Sequence, residues 1–207
     1  MHEIKVLKCL KPVYNKSLIL SRLGYDKKRT VLSGEAMREV ERLILYTEKN
    51  LNLKAAYRVM DIIRIDAPQV VLSDGTVLSG MKLSELLKDS KEALIMCATG
   101  GSKIMELIER LQAEGKMSEA AIVDAAASEI TDSALDLVMN MVGQYLRPKG
   151  QFLTKMRFSP GYGDFDITQQ RDFYRLLDGE TLGISITDTC MLIPEKSVFA
   201  IAGIIGK

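Results

Sequence analysis

The 207-residue sequence has no tryptophan, a single histidine and only three cysteines. Each shortage removes a class of function. The lone His2 sits at the amino terminus, which excludes a Ser-His-Asp or Cys-His catalytic site and argues against a histidine-ligated metal. Cys9, Cys97 and Cys190 are scattered, with no CxxC, so neither a zinc ribbon nor a dithiol redox centre is encoded; each lies among apolar neighbours and reads as a packed small hydrophobe. Aromatic residues make up 6% of the chain, too few for a base-stacking surface. A net charge of +1 gives no field for nucleic acid or an anionic membrane. No apolar run reaches the length of a membrane span, and Met1-His2-Glu3-Ile4-Lys5 lacks a signal-peptide core. A cytoplasmic protein with neither nucleic acid nor membrane as partner is expected.

What is present is ordinary for a globular domain: 47% hydrophobic and 27% charged residues, enough for a proper core. Residues 3–10 alternate like an edge strand stopped by Pro12, and 17–24 read as a short helix before a charged turn over 26–29. Ser33 is placed to cap a helix with Met37, Val40, Ile44 and Leu51 on one face. Ala55–Ile65 is strand-like, and Ser73-Asp74-Gly75 joins 69–72 to 76–78 as a hairpin. Ser84 is expected to open a short helix. The apolar run Ala93–Ala98 predicts a buried strand, turned by Thr99-Gly100-Gly101-Ser102 into a helix that Ser102 would cap. A strand, glycine turn and helix start can bind an anion, but the spacing is neither a Walker loop nor a dinucleotide fingerprint, and a plain tight turn is the stronger reading.

The longest helix is expected from Ser118 to Leu146. Asp124, Ser128, Asp132, Asp136 and Asn140 form its wet face, and Glu129 stands at the border, where solvent exposure is expected. After it come Gln151–Met156, an irregular stretch, a helix capped by Asp166 or Thr168, and three strands over 184–187, 191–193 and 197–205. Without regular βα alternation, the fold class is α+β, with a mixed or antiparallel sheet packed on helices including one long central helix.

The irregular stretch, Arg157-Phe158-Ser159-Pro160-Gly161-Tyr162-Gly163-Asp164, is the candidate site. Pro160 fixes its own φ and Gly161 and Gly163 reach positive φ, so the segment must be a shaped loop. Its guanidinium matches a carboxylate and its phenol ring can lie beside a cation. Together they suit a zwitterionic, amino-acid-like ligand carrying extra positive charge. The plainer reading is a turn whose Arg caps a helix and whose Tyr fills the core. A metal site at Asp164, Asp166 and Asp188 is a further alternative without a recognised ligand spacing.

This loop resembles the Arg-x-Ala-Pro-Gly-Tyr loop that binds S-adenosylmethionine in the reactivation (activation) domain of cobalamin-dependent methionine synthase. Other segments are similar in the same order: Leu83-Ser84-Glu85-Leu86 with Ala93–Thr99, Asp124–Glu129, and Gly183–Thr189 through Pro194 to Ser197-Val198. The resemblance runs over about 81–205 of a single expected domain, 1–207, and leaves residues 1–66 unaligned. Where the family has Cys-Pro-x-His-Thr-Glu-Lys after the tyrosine, and uses that histidine near the corrin, this chain has Gly163–Gln169. The family's Met-Trp is Leu192-Ile193, and its N-terminal ligand-binding aspartate has no counterpart.

The resemblance implies a module that holds S-adenosylmethionine over the cobalamin of a separate methionine synthase or related corrinoid protein. An electron donor such as flavodoxin or ferredoxin reduces cob(II)alamin, and the sulfonium methyl is passed to cobalt. It implies that Glu129, Arg157, Ser159, Gly161 and Tyr162 bind the ligand, with Arg157 on its carboxylate, Glu129 on an ammonium or hydroxyl, the backbone at Ser159 and Gly161 on adenine, and Tyr162, the residue nearest the chemistry, beside the sulfonium. A docking protein that no longer binds the ligand is the alternative.

Overall fold

The computed structural model describes residues 3–26 and 33–206. His2 and the charged turn beyond Asp26 lie outside the described residues. Three long antiparallel strands form the centre: β2 (Lys54–Asp66), β5 (Glu92–Thr99) and β9 (Ser197–Gly206). β5 lies between the other two and is buried along its length after Glu92, which explains its unbroken apolar sequence. The free side of β2 is shared end to end by β1 (Lys5–Lys8), pairing Lys5 with Tyr57, and β3 (Gln69–Leu72), pairing Asp66 with Gln69. β4 (Val77–Ser79) closes the hairpin on β3, and β6 (Gln151–Leu153) runs antiparallel along the outer side of β9. A separate two-stranded pair joins β7 (Ser185–Ile186) to β8 (Leu192–Ile193).

Period-two alternation sends side chains to two cores. Ala55, Val59, Leu94, Met96, Ala98, Ala200 and Ala202 face α1 (Lys16–Arg22), α2 (Gly34–Asn50) and the 30-residue α5 (Met117–Leu146). Ala55 opposes Ala98 and Met96 opposes Ala200, and α5 answers with Ala125, Ala126 and Ala134. Small residues on both surfaces let the long helix lie close to the sheet. Ala56, Met60, Ile95, Cys97, Phe199 and Ile201 face the other way, onto α3 (Met81–Leu87) and α6 (Gln170–Leu176). A third cluster joins α2 and α5 to α4 (Ser102–Ala113) through Leu43, Ile104, Leu107, Ile108 and Val123.

Several local expectations shift. Ser84 does not open α3 but is buried inside it; the helix starts at Met81, whose N–H donates to the Asp164 carboxylate at 2.6 Å. Ser102 does not cap α4. Gly101, at φ +79°, precedes the helix and donates its N–H to Thr99 Oγ1, while Gly100 N–H goes to Lys196 O at 2.7 Å, so the turn spends its donors on the protein. α2 ends at Asn50 and leaves Leu51 extended. Cys9 is exposed, whereas Cys97 and Cys190 are buried. Ser33 does cap α2, through Ala36 N–H, and Asp166 caps the 3-10 turn leading into α6.

Candidate functional site

The loop after β6 is held from three directions. Phe158 exchanges two backbone hydrogen bonds with Ile201 of β9, at 2.9 and 2.8 Å. Within the loop Gly161 N–H donates to Phe165 O at 2.7 Å and Tyr162 N–H to Ser159 O at 3.2 Å, with Gly161 at φ +93° and Gly163 at +58°. Beneath it Phe158 stacks on Phe165 at 5.9 Å, and Phe165 and Phe173 continue the ladder to Phe199. These rings fill the core, so Tyr162 does not: its side chain is 68% exposed.

The third hold is Arg157. Its guanidinium bonds the Asp136 carboxylate and, at 2.9 Å, Asp132 Oδ2, with a longer reach to Asp132 O. Burial lowers the guanidinium's proton affinity, but the two aspartates outweigh that and raise it above the ordinary arginine value. The loop is thereby clasped to the supposed wet face of α5. The guanidinium expected to meet a ligand carboxylate meets two protein carboxylates.

Glu129, expected to face solvent, is instead buried, 4% exposed. Its Oε2 accepts from Arg22 Nε and Nη2 of α1, each at 3.4 Å. Burial pushes the carboxyl above the usual carboxylate range; Arg22 opposes the shift, and Asp132 and Asp136 add to it. Asp164 and Asp166 accept N–H groups at helix starts, and among the described residues no three acidic, histidine or cysteine side chains gather as a metal site.

Between the loop, α5 and the 191–199 segment lies a cleft of about 340 Å³. Ser159, Pro160 and Tyr162 form one wall; Ser128, Thr131 and Asp132 of α5 another; Glu195, Lys196 and Ser197 a third; and Arg22 reaches in from α1. Of the five expected site residues, Ser159 and Tyr162 face this cleft. Gly161 shapes the loop behind them, and Arg157 and Glu129 hold cleft residues Asp132 and Arg22 from behind. Five polar lining residues, Arg22, Thr131, Gln170, Glu195 and Lys196, were not foreseen from the sequence. Arg22 offered no signal, Thr131 fell on the core side of the helical pattern, and Lys196 sat unremarked between Pro194 and the Ser197-Val198 match. Lys196 is only 6% exposed, its ammonium at 2.7 Å from Asp124 Oδ1 and 3.3 Å from Glu195 Oε1. Among the described residues, no helix is long and apolar enough to cross a membrane.

The architecture is that of an α+β domain: an antiparallel sheet with a long helix on one face and a shaped loop at its edge, beside an open cleft. Among solved structures it is similar to the MetH reactivation domain bound to AdoHcy, with a TM-score of 0.75 and 15% sequence identity over 97% of this chain and 78% of that one. No protein-family model and no curated protein matches the sequence. The fold is that of the MetH reactivation domain, and the superposition reaches into the N-terminal third, where the sequence shows no resemblance.

Proposed function

We propose that the chain is an S-adenosylmethionine-binding reactivation module serving a separate cobalamin-dependent methionine synthase or related corrinoid protein. The observation that carries this reading is the open cleft beside Ser159, Pro160 and Tyr162, on a fold whose solved counterpart holds AdoHcy. Its volume lies within the roughly 300–1,000 Å³ typical of small-molecule sites. Its walls mix apolar surface with both signs of charge, which suits a nucleoside bearing an amino-acid end.

Bound in this cleft, S-adenosylmethionine would supply a methyl group on a cationic sulfur to a partner's cobalt that a flavodoxin- or ferredoxin-type donor would have reduced by one electron, and would be left as a neutral thioether. The protein's part is positioning, because no proton must move. Tyr162 places an exposed ring at the cleft wall, where cation–π attraction to the sulfonium is about 0.5–2 kcal/mol. The backbone at Ser159 and Gly161 presents the loop to the adenine. Arg157 and Glu129 keep that loop and Arg22 in place. Met191, also on the cleft wall, is half exposed like the tyrosine, so an apolar rim is available to a corrinoid partner.

Titration calorimetry of S-adenosylmethionine into the isolated protein is the direct test, with binding expected; no heat at millimolar ligand overturns the reading. Mixing with a cob(II) corrinoid protein, reductant and S-adenosylmethionine should then give the methylcobalamin spectrum. One observation favours the alternative of a docking protein without ligand: Arg157 is already satisfied by Asp132 and Asp136. A corrinoid complex that forms without any calorimetric binding would establish that alternative.

A further inference from the structure

With Arg157 committed to Asp132 and Asp136, the carboxylate of an amino-acid ligand needs another cation. Two others reach the cleft wall. Arg22 is turned onto Glu129. Lys196 is different: it is 6% exposed, its backbone is fixed because its carbonyl accepts Gly100 N–H at 2.7 Å, and it still lines the cleft. An ammonium has three donors. Asp124 takes one at 2.7 Å, and Glu195 holds another loosely at 3.3 Å from a side chain that is 66% exposed. A buried ammonium needs counter-charge beside it, and here the looser partner, the Glu195 carboxylate, reaches into water.

We infer that Lys196 and Glu195 form the subsite for the amino-acid end of the ligand, by exchange of ion pairs. The ligand carboxylate takes the place of Glu195 on the Lys196 ammonium, and the released Glu195 carboxylate turns to the ligand's α-ammonium. One protein pair opens and two protein–ligand pairs form, with no charge left unmatched. Thr131, 3% exposed and with its hydroxyl lacking a partner among the described residues, lies at the same floor: a point one bond beyond the Gly100 Cα is 3.1 Å from its Oγ1 and 3.5 Å from Lys196 Cβ. The inference rests on the cleft being a site for S-adenosylmethionine, and assigns the carboxylate to Lys196 rather than Arg157.

The test compares S-adenosylmethionine with its decarboxylated analogue, which keeps the amine and sulfonium, by calorimetry. The wild-type protein should prefer the intact ligand by about 10-fold or more, the worth of a charge-assisted hydrogen bond. In Lys196→Met the preference should fall to about 2-fold or less, from loss of that bond. A wild-type protein that does not discriminate overturns the assignment, even if Lys196→Met fails to fold. So does a preference that survives in Lys196→Met, or one abolished by Arg157→Ala instead. Binding of neither ligand to the wild type sinks the cleft reading itself.

Discussion

Arg157 is where one side chain decides most. It joins the loop to α5 across two aspartates, so Arg157→Ala removes a partly buried cation and leaves Asp132 and Asp136 facing one another one helical turn apart. The loop should loosen, and S-adenosylmethionine affinity by calorimetry should fall by about 10-fold or more, from the lost charge-assisted bonds and the misplaced wall. Glu129 offers a pH signature. Burial raises its carboxyl, so the folded chain holds that proton more tightly than the unfolded chain. Stability is then present below the ordinary carboxylate range and lost as pH rises through the raised value. Glu129→Gln removes this loss. The melting temperature of the variant should gain on the wild type as pH rises from 4 to 7; a constant difference would contradict the assignment. The sequence showed the loop because Pro160, Gly161 and Gly163 punctuate it locally. It did not show the clasp, because Asp132 and Asp136 look like any solvated i, i+4 pair until a segment 21–25 residues away folds back on them.

At the scale of elements, the β5–α4 turn packs closely against cleft residue Thr131. A methyl added at Gly100 would come within 2.7 Å of Leu51 Cδ2 and 3.1 Å of Thr131 Oγ1. Gly100→Ala should therefore cost about 1–3 kcal/mol in denaturant unfolding, the usual range for overpacking a filled site. Helix existence was legible from periodicity, and β5 from its continuous apolar run. Helix starts were not always so. α3 takes its cap from Asp164, 83 residues away in sequence, and Ser84, the local candidate, instead donates its hydroxyl to Met81 O. Local capping rules succeed where the cap is local, as at Ser33, and fail where the tertiary fold supplies it.

Over the whole molecule, the two-sided sheet makes thiol chemistry a reporter of folding. Cys97 lies on the inner face of the central strand, and burial pushes its thiol up to about 12, a hydrogen bond with Ala56 opposing slightly. Cys190 is buried as well, while Cys9 is exposed. A chromogenic disulfide at pH 8 should thus titrate one thiol in the native protein and all three in guanidinium chloride. More than one fast native thiol would mean the second core opens readily. The α+β class followed from the order of elements, but which helices cover which face did not, since every amphipathic helix offers the same apolar stripe. The N-terminal strand and helix were legible as elements, at Lys5–Lys8 and Lys16–Arg22, but their packing was not, because it is set by partners far along the chain.

The end-to-end arrangement of β1 and β3 along one flank of β2 has a practical outcome. Were the first dozen residues trimmed away, the backbone N–H and C=O groups of Lys54–Tyr57 on that flank would face solvent as an unpaired strand edge. A protein shortened in this way should stick to itself strand against strand, emerging from size exclusion as aggregates while the full chain elutes cleanly.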